Sequence, residues 1–100
     1  MALYTFVMDF LGGTYMAQVR AASVRSACVK WARTVDVRGI SGLGPAGKGA
    51  LIANMQERDR RPVPIDGLRN AWCRSTLIRG RFALINIVRT EERVERRIRT

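Results

Sequence analysis

Residues 5–19, TFVMDFLGGTYMAQV, predict a β-hairpin that turns at Gly12-Gly13, and the rest of the chain is organised around it. A two-residue hairpin turn of the primed types requires positive φ, which costs least at glycine. Pairing outward from this turn sets Phe6 opposite Val19. Side chains of a strand alternate between the two faces of a sheet. The pattern therefore predicts one apolar face, made of Phe6, Met8, Phe10, Tyr15, Ala17 and Val19.

The second face of this hairpin is mostly polar but carries three apolar side chains. The polar residues are Thr5, Asp9, Thr14, Gln18 and Arg20, and the apolar ones are Val7, Leu11 and Met16. An exposed apolar patch of several hundred Å² often marks an interface between proteins. These three residues are therefore the predicted interaction surface.

A helix is predicted directly after the hairpin. Ser23 is a suitable N-cap, because its hydroxyl can accept a hydrogen bond from an otherwise unpaired backbone amide. A single helical stripe follows, made of Val24, Ala27, Cys28, Trp31 and Val35. We expect this helix to cover the apolar face of the hairpin, with Trp31 as its largest packing group.

The remainder of the chain predicts a second hairpin behind a glycine-rich segment. Pro45 suits the first turn of a second helix, and residues 62–65, PVPI, should be extended because each residue before a proline avoids the helical region. Asp66-Gly67 predicts a turn. Residues 71–88 predict two strands around Arg79-Gly80, with a loop of two, three or four residues. The last strand is almost wholly apolar, which favours a central position in the sheet.

The predicted fold class is therefore α+β. We expect a four-stranded antiparallel sheet from two hairpins, in the order β-β-α-α-β-β, with helix packed on one face. We expect residues 1–90 to form a single domain, and residues 91–100 to form a basic C-terminal tail that is a frayed helix or disordered.

Composition limits the classes of protein. The 100 residues are 47% apolar, which is typical of a globular domain. The uncharged run from Met1 to Met8 is too short to cross a bilayer and lacks a basic region before it, so we expect neither a membrane span nor a signal peptide. Cys28 and Cys73 lack the spacing of a metal site, and we interpret both as reduced cysteines of a cytoplasmic protein.

The net charge of +10 has two interpretations. It could favour a nucleic-acid partner, through Arg74, Arg79, Arg81 and Arg89 on the second hairpin together with the basic tail. Alternatively, it reflects arginine-rich codon usage, since the basic residues are nearly all arginine. Against a nucleic-acid partner, the sequence predicts no pair of exposed aromatic side chains that alternates with these arginines in a stacking pattern.

Residues that could carry catalysis are few. Residues 42–49, GLGPAGKG, match the first part of a phosphate-binding loop, but Gly49 stands where a serine or threonine would hold magnesium. We therefore expect a loop leading into a helix, with no nucleotide. The chain has no histidine, and its carboxylates form no pair, so no general base is evident. Cys73 beside Arg74 could be an activated thiolate, although a structural cysteine is the simpler interpretation. No catalytic, metal or cofactor residue is predicted, and the chain is not expected to be an enzyme.

Residues 4–35 resemble the opening of HicB-like antitoxin domains, in which a hairpin crossed by glycine precedes a Ser- or Thr-capped helix bearing alanine. The resemblance implies a small α+β domain of the partial ribonuclease-H type that binds a toxin protein. The third strand with a Pro-Gly signature in that family has no counterpart between Val19 and Ser23. The strings YTFVMDFLGGTY and GRFALINIVRT also resemble those of small bacterial proteins. No site residue follows from either resemblance.

Two functions are therefore predicted for this chain. The first is a non-enzymatic domain that acts through a protein partner or through self-association. The alternative is a nucleic-acid-binding protein that uses the basic hairpin and tail.

Overall fold

The computed structural model describes residues 1–91, so residues 92–100, and with them nearly all of the predicted tail, lie outside the described part of the chain. Five strands form one antiparallel sheet in the order β2-β1-β5-β4-β3. The elements are β1 (Ala2–Phe10), β2 (Gly13–Ala21), α1 (Val24–Thr34), a 3₁₀ turn (Val37–Gly39), α2 (Gly44–Gln56), β3 (Val63–Pro64), β4 (Ala71–Ile78) and β5 (Arg81–Thr90). Neither helix is long and apolar enough to cross a membrane, within residues 1–91.

The four-stranded sheet predicted from the sequence is wrong, because β3 adds a fifth strand and the order is β-β-α-α-β-β-β. Val63 lies opposite Cys73 and Pro64 opposite Trp72. The segment is extended as its prolines require, but a strand bounded by prolines offers few amides to a ladder. Such a strand is confined to the edge of a sheet, and here it closes the outer edge of β4. The sequence pattern predicted the extended conformation and missed the pairing.

The register of the first hairpin also differs from the predicted one. The turn is Leu11-Gly12, with φ of 49° and 79°, and Phe10 pairs with Gly13. Phe6 therefore lies opposite Ala17 instead of Val19. The shift is two residues, so every side chain keeps its predicted face, and the hydrophobic pattern could not distinguish the two registers.

Side-chain contacts explain why the observed register is the stable one. The Tyr15 ring lies over Gly13, where it leaves no room for a Cβ, and the Tyr15 hydroxyl accepts a hydrogen bond from the Ser41 amide at 3.3 Å. The pairing also sets Thr14 opposite Asp9, and the Thr14 hydroxyl donates to the Asp9 carboxylate at 2.7 Å. These contacts compensate for the positive φ of Leu11, which is costly for a residue with a Cβ.

The prediction that α1 covers the hairpin is confirmed. Ser23 caps the helix in a reciprocal arrangement with Ser26, whose amide donates to the Ser23 hydroxyl at 3.2 Å. Trp31 is buried and stacks on Phe6, with ring centroids 4.9 Å apart and planes inclined by 6°. Burial of an aromatic side chain of this size stabilises the fold by about 3 kcal/mol or more. The core of the domain therefore lies between the two helices and one face of the sheet.

The second helix and the second hairpin form as predicted. Pro45 lies in the first turn of α2, and Leu51 and Met55 are buried beneath the helix. The β4–β5 loop has two residues, Arg79 and Gly80, with φ of 52° and 80°. Strand β5 is the central strand of the five, in agreement with its apolar sequence.

Candidate interaction surface

One face of the sheet carries both helices, and the other carries no described element. We call this second surface the open face; it comprises the alternate positions of β1, β2, β4 and β5 that point away from α1 and α2. Its principal apolar residues are Val7, Met16, Leu77, Phe82, Leu84 and Val88. Met16 is 69% exposed, Phe82 60% and Leu77 57%. The open face is therefore a broad apolar surface without cover in residues 1–91.

Several polar side chains of the open face, on β1, β2 and the end of β5, bond to one another. The Gln18 amide donates to the Thr5 hydroxyl at 3.0 Å, and Thr5 also hydrogen-bonds the Thr90 hydroxyl. The Thr14–Asp9 hydrogen bond completes the set on β1 and β2. A partner that covers these groups would bury side chains that already have hydrogen-bond partners, which reduces the penalty of burying them.

Charge is sparse on the open face. Along β1 and β2 it carries only Asp9 and Arg20, which lie toward opposite ends of the hairpin. The chain as a whole has a net charge of +10. Its basic residues therefore lie mainly outside this surface, which is close to neutral.

The structure distributes the predicted interaction residues over two places. Val7 and Met16 lie directly opposite one another on β1 and β2, in the middle of the open face. Leu11 lies in the turn and packs on Gly42, on the helix side of the sheet. Sequence analysis missed Phe82, Leu84 and Val88. The apolar run of β5 was the signal for them, because an almost wholly apolar strand is typical of a strand with both faces covered.

The four arginines of the second hairpin do not form one patch. Arg79 lies in the tight turn, Arg81 follows it directly, and both are exposed. Arg89 is also exposed, but it lies about 27 Å from Arg81 along β5. Arg74 is buried among the helices. The basic surface that would favour a nucleic-acid partner is therefore divided.

The contacts of Arg74 join secondary-structure elements to one another. Its Nη2 donates to the backbone oxygen of Asn54 at 2.6 Å, in the last turn of α2, and the Asn54 side chain donates to the Leu77 oxygen at 2.8 Å. A cation is favourable at a helix C-terminus, where the unpaired carbonyl groups concentrate negative potential. The Arg74 Nε has no hydrogen-bond partner among the described residues. These contacts fasten the end of α2 to β4.

The cysteine beside Arg74 in space is not its neighbour in sequence. Consecutive residues of a strand point to opposite faces, so Cys73 lies on the open face and Arg74 on the helix side. Arg74 instead approaches the thiol of Cys28 on α1. Burial raises the pKa of Cys28 from 9.0 to about 11, and the charge and hydrogen bond of Arg74 offset part of this increase. A thiol with this pKa is protonated at neutral pH, which is typical of a structural cysteine.

The glycine-rich segment forms a turn and the start of α2. Gly42 and Gly44 have positive φ, and α2 begins at Gly44. Lys48 does not face a phosphate site, because its Nζ donates to the Val35 oxygen at 3.0 Å. This bond joins the start of α2 to the end of α1. No cluster of three metal-ligating side chains occurs in residues 1–91.

The chain matches no family model, no curated protein and no solved structure. The resemblance of residues 4–35 to HicB-like antitoxin domains therefore stays a prediction.

Proposed function

We propose that this chain is a small non-enzymatic interaction domain that self-associates by packing its open face on the open face of a second copy. The observation that carries the proposal is the exposure of Met16, Phe82 and Leu77 on one uncovered sheet face. Exposed apolar surface of this extent is unusual on a monomer and is typical of an interface.

The size of the open face is suitable for a stable dimer. Strands about 4.8 Å apart with a side chain every 6.8 Å give this face roughly 600 Å² of flat area. Its accessible surface is larger than its flat area, and a typical interface buries about 800 Å² on each partner. Two copies packed face to face, about 10 Å apart, would resemble a β-sandwich.

The distribution of charge favours a second copy as the partner. Two molecules of net charge +10 repel each other, and an interface between them is least costly where charge is absent. The open face satisfies this condition because its centre, around Val7 and Met16, is uncharged. A symmetric dimer also needs a self-complementary patch, and an apolar face meets that requirement.

The environment implied by the cysteines agrees with a cytoplasmic location. Cys28 and Cys73 are both free within the described residues. Unpaired thiols are ordinary in the reducing cytoplasm, and cytoplasmic residence is therefore part of the proposal.

Sedimentation velocity on a matched pair of variants tests the proposal. Met16→Glu places a charge in the open face, whereas Leu68→Glu places one at an exposed apolar residue, 60% accessible, in the loop before β4. We expect the wild-type chain and Leu68→Glu to sediment as dimers, and Met16→Glu to sediment as a folded monomer. A wild-type chain that stays monomeric at every concentration would overturn self-association, as would a Met16→Glu dimer.

A further inference from the structure

We infer that the free edge of β2 and the adjoining flank of α1 bind an extended acidic peptide segment, which would add a strand to the sheet. This site is separate from the open face. It lies along the outer side of the first hairpin, where β2 is the terminal strand.

The geometry of the hairpin determines which backbone groups of β2 are unpaired. In a two-residue hairpin the residues that close the turn exchange hydrogen bonds, and here they are Phe10 and Gly13. Alternate residues of β2 then bond to β1, and the amide and carbonyl groups of Thr14, Met16 and Gln18 point away from the sheet. The Arg20 carbonyl belongs to the same outward series, and it accepts a hydrogen bond from Lys30 Nζ at 2.8 Å. The edge therefore offers donors and acceptors at the spacing of a strand.

Protection of the two sheet edges is unequal. A natural protein usually blocks an exposed edge with proline, charge, a bulge or a very short strand. The β3 edge has two of these features, since the strand has two residues and contains Pro64. From Gly13 to Val19 the β2 edge has no proline and no charged residue, and its pairing with β1 is regular over nine residues. Strand β2 is thus the edge that is suited to strand addition.

A groove accompanies this edge on the helix side. Two adjoining hollows of about 790 and 460 Å³ share Thr34 in their walls. Ala21 and Val29 line the larger hollow, and Tyr15 and Ala17 line the smaller one. Ala17 is exposed although it points to the helix side, so α1 leaves this part of β2 uncovered. Side chains of an added strand would enter this groove.

The charge of the groove specifies an acidic occupant. Arg25, Lys30 and Arg33 line the larger hollow, and none of the residues that line it is acidic. Asp36 lines the smaller hollow, but its carboxylate is paired with Arg38 at 3.1 Å. Carboxylate side chains on the helix side of an added strand would approach these cations. A second copy of the chain is a poor occupant, since its own α1 would bring the same cations into the groove.

The sequence of the peptide follows from the alternation of the strand. Side chains on one face of the added strand meet Arg25, Lys30 and Arg33, and those on the other face extend the open face beside Met16. A segment with alternating acidic and apolar residues satisfies both faces. Unpaired strand amides and the apolar walls of the groove favour a peptide over a nucleic acid, whose backbone offers no strand ladder.

The test measures binding of a short fluorescent peptide of alternating glutamate and valine by fluorescence anisotropy. The comparison probes are the same peptide with lysine for glutamate and a single-stranded oligonucleotide of equal negative charge. We expect the glutamate peptide to bind at least about tenfold more tightly than either comparison probe. Equal binding of both peptides would overturn the inference, and so would tighter binding of the oligonucleotide, which would indicate a nucleic-acid site.

Matched variants locate the site on the edge. Gln18→Pro removes an amide that points away from β1, so it leaves the hairpin ladder intact, whereas Gln18→Ala keeps that amide. We expect Gln18→Pro to weaken peptide binding about tenfold or more, and Gln18→Ala to bind like the wild type. If Gln18→Pro fails to fold, Arg33→Glu in the groove and Arg58→Glu outside it provide the same comparison. Binding that is unchanged in Gln18→Pro, or in Arg33→Glu, would overturn the inference.

Discussion

At the scale of single residues, the environment of Arg74 shows what the sequence could not specify. Cys73 and Arg74 are adjacent in the chain, and their proximity suggested an activated thiolate. The strand places their side chains on opposite faces. Arg74 instead approaches Cys28, which lies on α1, more than forty residues earlier in the chain. A sequence gives the order of residues along a strand, but the partner across the core depends on how the helices pack.

Cys28 provides a pH-dependent prediction at this scale. Its pKa is about 11 in the folded chain and 9.0 in an ordinary environment, so the unfolded chain loses the thiol proton first as the pH rises. The free energy of unfolding therefore includes a contribution from the protonated Cys28 thiol, which is fully present below pH 9. About 2 to 3 kcal/mol is lost as the pH rises to about 11. Urea unfolding between pH 9 and 11 should therefore show a steeper loss of stability in the wild type than in Cys28→Ala. Parallel profiles for the two proteins would contradict the assignment.

At the scale of elements, the turn of the second hairpin gives a prediction about stability. Arg79 has φ of 52° in the turn between β4 and β5, a conformation that asparagine tolerates much better than arginine. Because Arg79 is exposed, Arg79→Asn should raise the free energy of unfolding by about 1 kcal/mol, measured by urea denaturation. Arg81→Asn is the control, since Arg81 begins an extended strand and should gain nothing. A gain in the control equal to that in Arg79→Asn would refute this explanation.

Periodicity in the sequence predicted the elements well where the signal was local. The capping serine, the stripe that contains Trp31 and the apolar strand β5 each correspond to an observed element. Register and pairing were predicted less well, because they depend on contacts between distant residues. Leu11 adopts a positive φ because the resulting register pairs Thr14 with Asp9. Strand β3 was missed because two residues are too few to show an alternation of apolar and polar side chains.

At the scale of the whole molecule, the sheet is covered on one side only. Of the three residues of the predicted interaction surface, Val7 and Met16 lie at the centre of the open face, whereas Leu11 packs toward the helices. Strand β5 enlarges that face with Phe82, Leu84 and Val88, residues whose role follows only from the sheet order. A central strand that is apolar on both faces implies a second cover, which the described residues do not supply. We therefore propose that the second copy packs on this face.

Intermolecular nuclear Overhauser effects would show whether the open faces of two copies are in contact. A mixture of isotope-labelled and unlabelled chains, recorded with an isotope filter, detects only contacts between different copies. We predict cross-peaks among the methyl groups of Met16, Leu84 and Val88, and none from Val29 on the outer flank of α1. Cross-peaks confined to α1 would contradict packing through the open face. The absence of intermolecular cross-peaks at a concentration where sedimentation shows a dimer would also contradict it.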